Sequence, residues 1–173
     1  KLNIKTIQQT SNGKAGAVFE GMDHTTGELI AILDSDISVE PKTLNSFFEI
    51  IENGNGDFVN GTRLIYPIED NSMRFMNKLG NQFFKSAVSI VIQYKLSDSL
   101  CGTKVFSRSQ IKKIKSWRKQ LNNLDPFGDF DFLFSAAYSG QKIVEYPVHY
   151  KARVYGETQI NRYRDGFKLI IYF

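Results

Sequence analysis

The chain has 173 residues, 42% of them apolar, 23% charged and 13% aromatic, with a formal net charge of +4. That length suits one domain with a real core. The charge is a mild bias toward anionic partners such as phosphates or an acidic membrane surface, and no RNA- or DNA-binding motif accompanies it, so nucleic acid is not an expected partner. The single cysteine, Cys101, excludes an intramolecular disulfide and fits a reducing compartment. No run of about eighteen apolar residues marks a membrane span.

Periodicity gives the elements in chain order. Residues 14–23 read as a short helix, with Ala15, Val18, Phe19 and Met22 at helical spacing, and Thr25-Thr26-Gly27-Glu28 as a turn. Residues 29–33, Leu29-Ile30-Ala31-Ile32-Leu33, form a continuous apolar strand of the kind buried on both faces. Pro41 suits the first position of a helix whose apolar face is Leu44, Phe47, Phe48 and Ile51, ended by Asn53-Gly54-Asn55-Gly56. A strand over 57–61 follows, then a helix over 72–93 with Met76, Leu79, Phe83, Val88 and Val91 predicted to face inward. A short strand spans 104–107, and a helix over 129–139 stops at Gly140. Residues 143–150 make a strand interrupted by Pro147, which belongs at a sheet edge. The last segment, 160–173, fits an amphipathic helix with Phe167, Ile170 and Ile171 on its apolar side and Arg162, Arg164 and Lys168 on its polar side. Alternating helices and strands predict an α/β domain with a mixed sheet. The chain opens on Lys1 and ends on Ile170-Ile171-Tyr172-Phe173, which reads as a piece of a longer protein.

Asp34-Ser35-Asp36 stands directly behind the apolar strand. Ligands of open α/β sheets bind beyond the carboxyl ends of strands. In an extended loop, residues i and i+2 point the same way. Two such carboxylates can hold Mg²⁺ or Mn²⁺, which take hard oxygen ligands and share them with substrate phosphates. The competing reading is a strand-ending turn whose Asp side chains bond nearby backbone. Asp129 and Asp131 open a helix, where an Asp is often a cap or a dipole partner. No Ser/His/Asp or Cys/His set supports a nucleophilic enzyme, and Cys101 reads as packing.

Further groups fall in order along the chain: Gly13-Lys14-Ala15-Gly16-Ala17, Gly61-Thr62-Arg63, Asp98-Ser99-Leu100-Cys101-Gly102-Thr103-Lys104, Gly128-Asp129-Phe130-Asp131, Tyr146-Pro147-Val148 and Arg153-Val154-Tyr155-Gly156-Glu157-Thr158. With Asp34-Ser35-Asp36 this series resembles the family 2 glycosyltransferases, in particular the branch of dolichyl-phosphate mannose synthase and bacterial polyprenyl-phosphate glycosyltransferases. The resemblance runs from about Gly13 to Gly166. It implies a GT-A fold, with a mixed, mostly parallel sheet flanked by helices.

The resemblance also implies roles. Asp34 and Asp36 match the Asp-x-Asp that binds Mg²⁺ or Mn²⁺ and the donor diphosphate. Arg63 matches an arginine near donor or acceptor phosphate, where a guanidinium binds oxygens in bidentate fashion. Arg153 and Thr158 match an Arg-x-x-Gly-x-Ser loop at the phosphate end of the site; Thr keeps the hydroxyl, and Gln159 stands where Lys is frequent. Asp129 or Asp131, with Asp129 preferred, matches an acidic residue that approaches the acceptor and acts as general base toward a hydroxyl; Asp131 is then the capping member. Asp98, Gly102 and Lys104 match the acceptor side, with Asp98 able to hold an Arg or Lys and Gly102 allowing close backbone approach.

The function so implied is metal-dependent, inverting transfer of a sugar from a UDP- or GDP-linked donor to a polyprenyl phosphate at the cytoplasmic face of a membrane, with peripheral contact through the basic C-terminal segment. A glycan or other hydroxyl acceptor is the alternative within the class; an inactive remnant or interaction domain is the alternative outside it. The family's opening Pro-x-Tyr-Asn-Glu strand and base-reading strand have no counterpart before Gly13, so the domain is expected to be N-terminally truncated.

Overall fold

The computed structural model describes residues 4–65, 75–151 and 162–172. The elements are α1 (Gly13–Asp23), β1 (Leu29–Ile32), a 3₁₀ turn (Pro41–Thr43) leading into α2 (Leu44–Glu52), β2 (Phe58–Thr62) and α3 (Phe75–Ile92). They continue with β3 (Lys104–Ser107), a second 3₁₀ turn (Arg108–Gln110), α4 (Ile111–Gln120), α5 (Asp129–Tyr138), β4 (Ile143–Pro147) and α6 (Arg162–Ile171).

The sheet order is β1-β3-β2-β4. β3 is antiparallel to both β1 and β2, while β2 and β4 are parallel, so three strands run one way and β3 is reversed between two of them. Lys104 lies opposite both Ile32 and Asn60, which brings the carboxyl ends of β1 and β2 to the start of β3. Every residue of β2 is buried, as suits a central strand. β1 differs from expectation. Ile30 and Ile32 are buried on one face, while on the other Ala31 is exposed and Leu29 and Leu33 are only partly buried against the cluster beneath α2. Pro147 ends β4 at the opposite edge, where its missing N–H costs no ladder bond.

Side-chain alternation along β2 and β3 builds two cores, one on each face. Phe58 and Phe106 stack at 5.9 Å and join Phe19, Phe84, Val88, Ile114, Phe130, Phe132 and Leu169 under α1, α3, α4, α5 and α6. Val59 and Val105 point the other way, to Val39, Phe47, Cys101 and Val148 beneath α2. Each such side chain contributes about 1.5–3 kcal/mol by leaving water. Cys101 is buried packing.

Three helices depart from the expected pattern. In α3 the buried stripe is Phe84 and Val88, whereas Phe83 and Val91 are exposed; the helix is turned by one position so that Phe84 meets Phe130, with ring centroids 5.6 Å apart. The side chains of Met76 and Leu79 lie outside the described residues. In α6 the buried face is Asp165, Leu169 and Tyr172, at i, i+4 and i+7, and Phe167, Ile170 and Ile171 are exposed. The sequence pattern predicts no helix over 111–120, yet α4 forms there and Ile111, Ile114 and Trp117 pack inward from it.

Candidate active site

At the carboxyl end of β1 the chain turns instead of running on extended. Ile37 N–H donates to Asp34 O at 3.1 Å, and Ile37 takes the left-handed φ of 50°. The extended geometry expected to align Asp34 with Asp36 is therefore absent. Asp36 Oδ1 accepts from Ser38 N–H at 3.1 Å and from Ser38 Oγ at 2.8 Å, which is the turn-forming role of an Asp.

Asp34 faces into the domain. Its Oδ1 lies 3.0 Å from Lys14 Nζ, and the two side chains are 37% and 32% exposed. Lys14, the second residue of α1, also lies 3.8 Å from Asp129 Oδ2. The other oxygen of Asp129 lies 3.1 Å from Lys104 Nζ. One chain of charge thus runs Asp34, Lys14, Asp129, Lys104. Lys104 is fully buried, and its ammonium has three acceptors for its three protons: Asp129 Oδ1, Asn60 Oδ1 at 3.0 Å and the carbonyl of Cys101. A buried lysine is tolerable only when satisfied in this way. Burial works against the charge of Lys14, but Asp129 and Asp34 outweigh it and raise its pKa above the ordinary lysine value. Gly102 presses on this group. A Cβ at that position would lie 2.6 Å from Lys14 Nζ and 2.7 Å from Asp34 Oδ1, so the close approach expected of Gly102 is directed at the Lys14–Asp34 pair.

At the end of β2, Arg63 and Asp98 meet side to side. Arg63 Nε and Nη2 donate to Asp98 Oδ2 and Oδ1 at 2.6 and 2.8 Å, and Arg63 N–H adds a bond of 3.2 Å. Asn81 Nδ2 and Leu100 N–H also donate to this fully buried carboxylate. Burial alone would raise the Asp98 pKa, but Arg63 and these donors hold it down at about 2. The Arg63 guanidinium lies over the Tyr150 ring, 5.3 Å from its centroid.

Asp129 and Asp131 begin α5 in different surroundings. Asp129 looks toward the lysines. Asp131 is fully buried, with Arg118 Nη1 on Oδ2 and the Tyr172 hydroxyl donating to Oδ1 at 2.9 Å. Asp131 is not the capping member. That part is played by Asp125, whose Oδ2 accepts from Phe130 N–H at 2.7 Å and Asp131 N–H at 3.3 Å, and whose Oδ1 accepts from Phe127 N–H at 2.9 Å. Burial, with Asp129 and Asp131 close by, pushes Asp125 up to about 6. Lys14, Arg118, Asp125 and Tyr172 received no role from the sequence. The clearest overlooked signal was Asp125-Pro126, since an Asp before proline is held extended and favours turn initiation.

Residues 1–115 match the family model described as Glycosyl transferase family 2. The chain belongs to this family. The matched span holds Lys14, Asp34, Arg63, Asp98, Gly102 and Lys104, while α5 with Asp129 lies beyond it. Three curated relatives align past that limit. The glycosyltransferase AglD of Haloferax volcanii is 24% identical over 153 residues, covering 88% of this chain and 24% of that protein. The dolichol-phosphate mannosyltransferase of Pyrococcus furiosus is 22% identical over 165 residues, 92% of this chain and 44% of that one. The low-salt glycan biosynthesis hexosyltransferase Agl6 of Haloferax volcanii is 22% identical over 163 residues, 94% of this chain and 38% of that one. The chain therefore spans less than half the length of each of these relatives.

For a family 2 domain the question of a metal falls on Asp34 and Asp36. Their donor chemistry fits Mg²⁺ or Mn²⁺: both are hard carboxylates, partly open to solvent, beyond a strand end. Among the described residues no cluster of three or more His, Cys, Asp or Glu adds a further ligand, so phosphate or water would complete the shell. Arg153, Thr158 and Gln159 lie outside the described residues.

Proposed function

We propose that this domain takes part in metal-dependent, inverting transfer of a sugar from a UDP- or GDP-linked donor to a polyprenyl phosphate. The observation that carries the reading is the placing of Asp34, at the carboxyl end of β1, against Lys14, Gly102 and Asp129. That is where an open α/β sheet takes its ligand. The acceptor phosphate oxygen attacks the anomeric carbon from the face opposite the leaving group. The bond from that carbon to the donor diphosphate breaks, and the nucleoside diphosphate leaves with the bonding pair. Asp34 and Asp36 would hold Mg²⁺ or Mn²⁺, which supplies charge neutralisation to the leaving diphosphate. Arg63 stays fixed by Asp98, and Arg153 and Thr158 are assigned to phosphate by family resemblance.

A phosphate acceptor is already an anion and needs no base. Asp129 suits that case, because both of its oxygens face ammonium groups. The name of the Pyrococcus furiosus relative gives the lipid acceptor further support. So does α6, where exposed Phe167, Ile170 and Ile171 lie beside exposed Lys168, a pattern suited to the cytoplasmic face of a membrane. Among the described residues no helix is long and apolar enough to cross a membrane.

Calorimetric titration with UDP and with GDP in the presence of Mn²⁺ tests the donor site. One of the two should bind, and Asp34→Asn should abolish the binding. Silence at millimolar nucleotide would favour an inactive remnant. Turnover with a polyprenyl phosphate that survives alanine at Asp129 and Asp131 would rule out the hydroxyl-acceptor mechanism.

A further inference from the structure

Lys14 sits between two carboxylates. Its ammonium bridges Asp34 Oδ1 at 3.0 Å and Asp129 Oδ2 at 3.8 Å, and Lys104 already holds the other oxygen of Asp129. Gly102 closes the side between Lys14 and Asp34: its backbone is so near that even a methyl group there would meet both. The Lys14 ammonium is thus hemmed in by Asp34, Asp129 and the Gly102 backbone. Asp34 is open enough for a metal to reach, but its charge is balanced beforehand by a partner from the same chain.

Resting on the reading of Asp34 as a metal ligand, we propose that Lys14 is a resident cation that keeps Asp34 from holding a divalent metal alone, so that metal and nucleoside diphosphate must bind together. The physical argument is repulsion. A divalent ion on one carboxylate oxygen and an ammonium on the other repel about twice as strongly as two unit charges at the same spacing. Partial burial limits the screening that water and salt provide. Turning toward Asp129 gives the ammonium only incomplete relief, because Lys104 Nζ lies 3.1 Å from the other oxygen of that carboxylate and already offsets its charge. A diphosphate supplies new anionic oxygens and so relieves both cations at once. Lys14 is here a positioning residue that decides which form of metal the site accepts.

The test uses Mn²⁺ alone, with no nucleotide. The full chain is titrated and free Mn²⁺ is followed by electron paramagnetic resonance. Lys14→Met should bind Mn²⁺ about tenfold more tightly than the unaltered protein. Lys14→Arg, which keeps the charge, should not. Adding Asp34→Asn to Lys14→Met should remove the gain. Equal Mn²⁺ affinity with and without Lys14 overturns the proposal, and so does a gain that survives Asp34→Asn. Thermal melting checks the fold of each variant; if Lys14→Met fails to fold, Lys14→Gln makes the same comparison with a polar side chain. Failure of the parent reading shows up elsewhere, as absence of Mn²⁺–UDP and Mn²⁺–GDP binding by the unaltered protein.

Discussion

The hydroxyl of Tyr172, near the end of α6, donates to Asp131 Oδ1 on the first turn of α5 at 2.9 Å, and accepts from Trp117 Nε1 of α4 at 2.8 Å. Three helices are tied at one oxygen. The Tyr172 ring is held independently, 5.7 Å from Phe130 and 5.5 Å from Phe134. Tyr172→Phe therefore removes two hydrogen bonds and leaves the packing. It should lower stability by about 1–3 kcal/mol, since Trp117 and Asp131 each lose a buried partner. Urea denaturation measures the loss. Trp117 is the chain's only tryptophan, so its emission reports the same contact. An unchanged midpoint and an unchanged emission would show that this oxygen does not hold α6.

Asp98 balances the charge of Arg63 from a fully buried position. Asp98→Ala strands the guanidinium in a site where its side chain is only 12% exposed, and should cost about 3–5 kcal/mol. The acid dependence follows from linkage. The folded pKa is about 2, below the ordinary 3.8, so this stability is present above pH 3.8 and is lost as pH falls toward 2. Stability of the unaltered protein should drop across that window, and Asp98→Ala should flatten the drop. Equal acid sensitivity in the two proteins would contradict the pairing.

Asp125 gives a slope of the other sign. Its folded pKa of about 6 exceeds the ordinary 3.8, so the folded state binds the extra proton. The stability this contributes is complete below 3.8 and disappears as pH rises through about 6. Asp131, also raised by burial, adds in the same direction. Asp125→Asn keeps an oxygen acceptor for the start of α5 but cannot titrate. Stability curves from pH 4 to 7 should fall for the unaltered protein and lie flatter for Asp125→Asn. Parallel curves would show that Asp125 titrates at its ordinary value.

The strands and the motif order were legible because they depend on local pattern. The apolar run before Asp34, the short strand at Lys104 and the stop at Gly140 each follow from residues beside them in sequence. Helix α3 shows where pattern fails: it carries apolar residues on two stripes, and only the place of Phe130 decides that Phe84, and not Phe83, turns inward. Helix α4 was masked by its lysines, although Ile114 sits in the core. In the site, Asp34 is marked by its type and its place behind a strand, and Lys104 only by the family resemblance. Lys14 received no role, because its meaning depends on Asp129, which is far away in sequence and brought near only by packing of α1 on α5.

Gly102 offers the most selective probe of this arrangement. The atoms a new Cβ would meet are the ends of the Lys14 and Asp34 side chains, which can move, and the backbone at Gly102 is not in the left-handed region. Gly102→Ala should therefore fold, with a loss of about 1–3 kcal/mol, the usual range for overpacking. Its local effect should be larger than its global one. The methyl group drives Lys14 and Asp34 apart and fills the space beside the Asp34 carboxylate. Nucleotide binding in Mn²⁺ should weaken at least about tenfold, a factor that corresponds to 1.4 kcal/mol. Calorimetry gives the affinity, and a melting curve on the same sample gives the stability. A Gly102→Ala protein that binds nucleotide as well as the unaltered chain would show that the Lys14–Asp34 pair stands apart from the donor site.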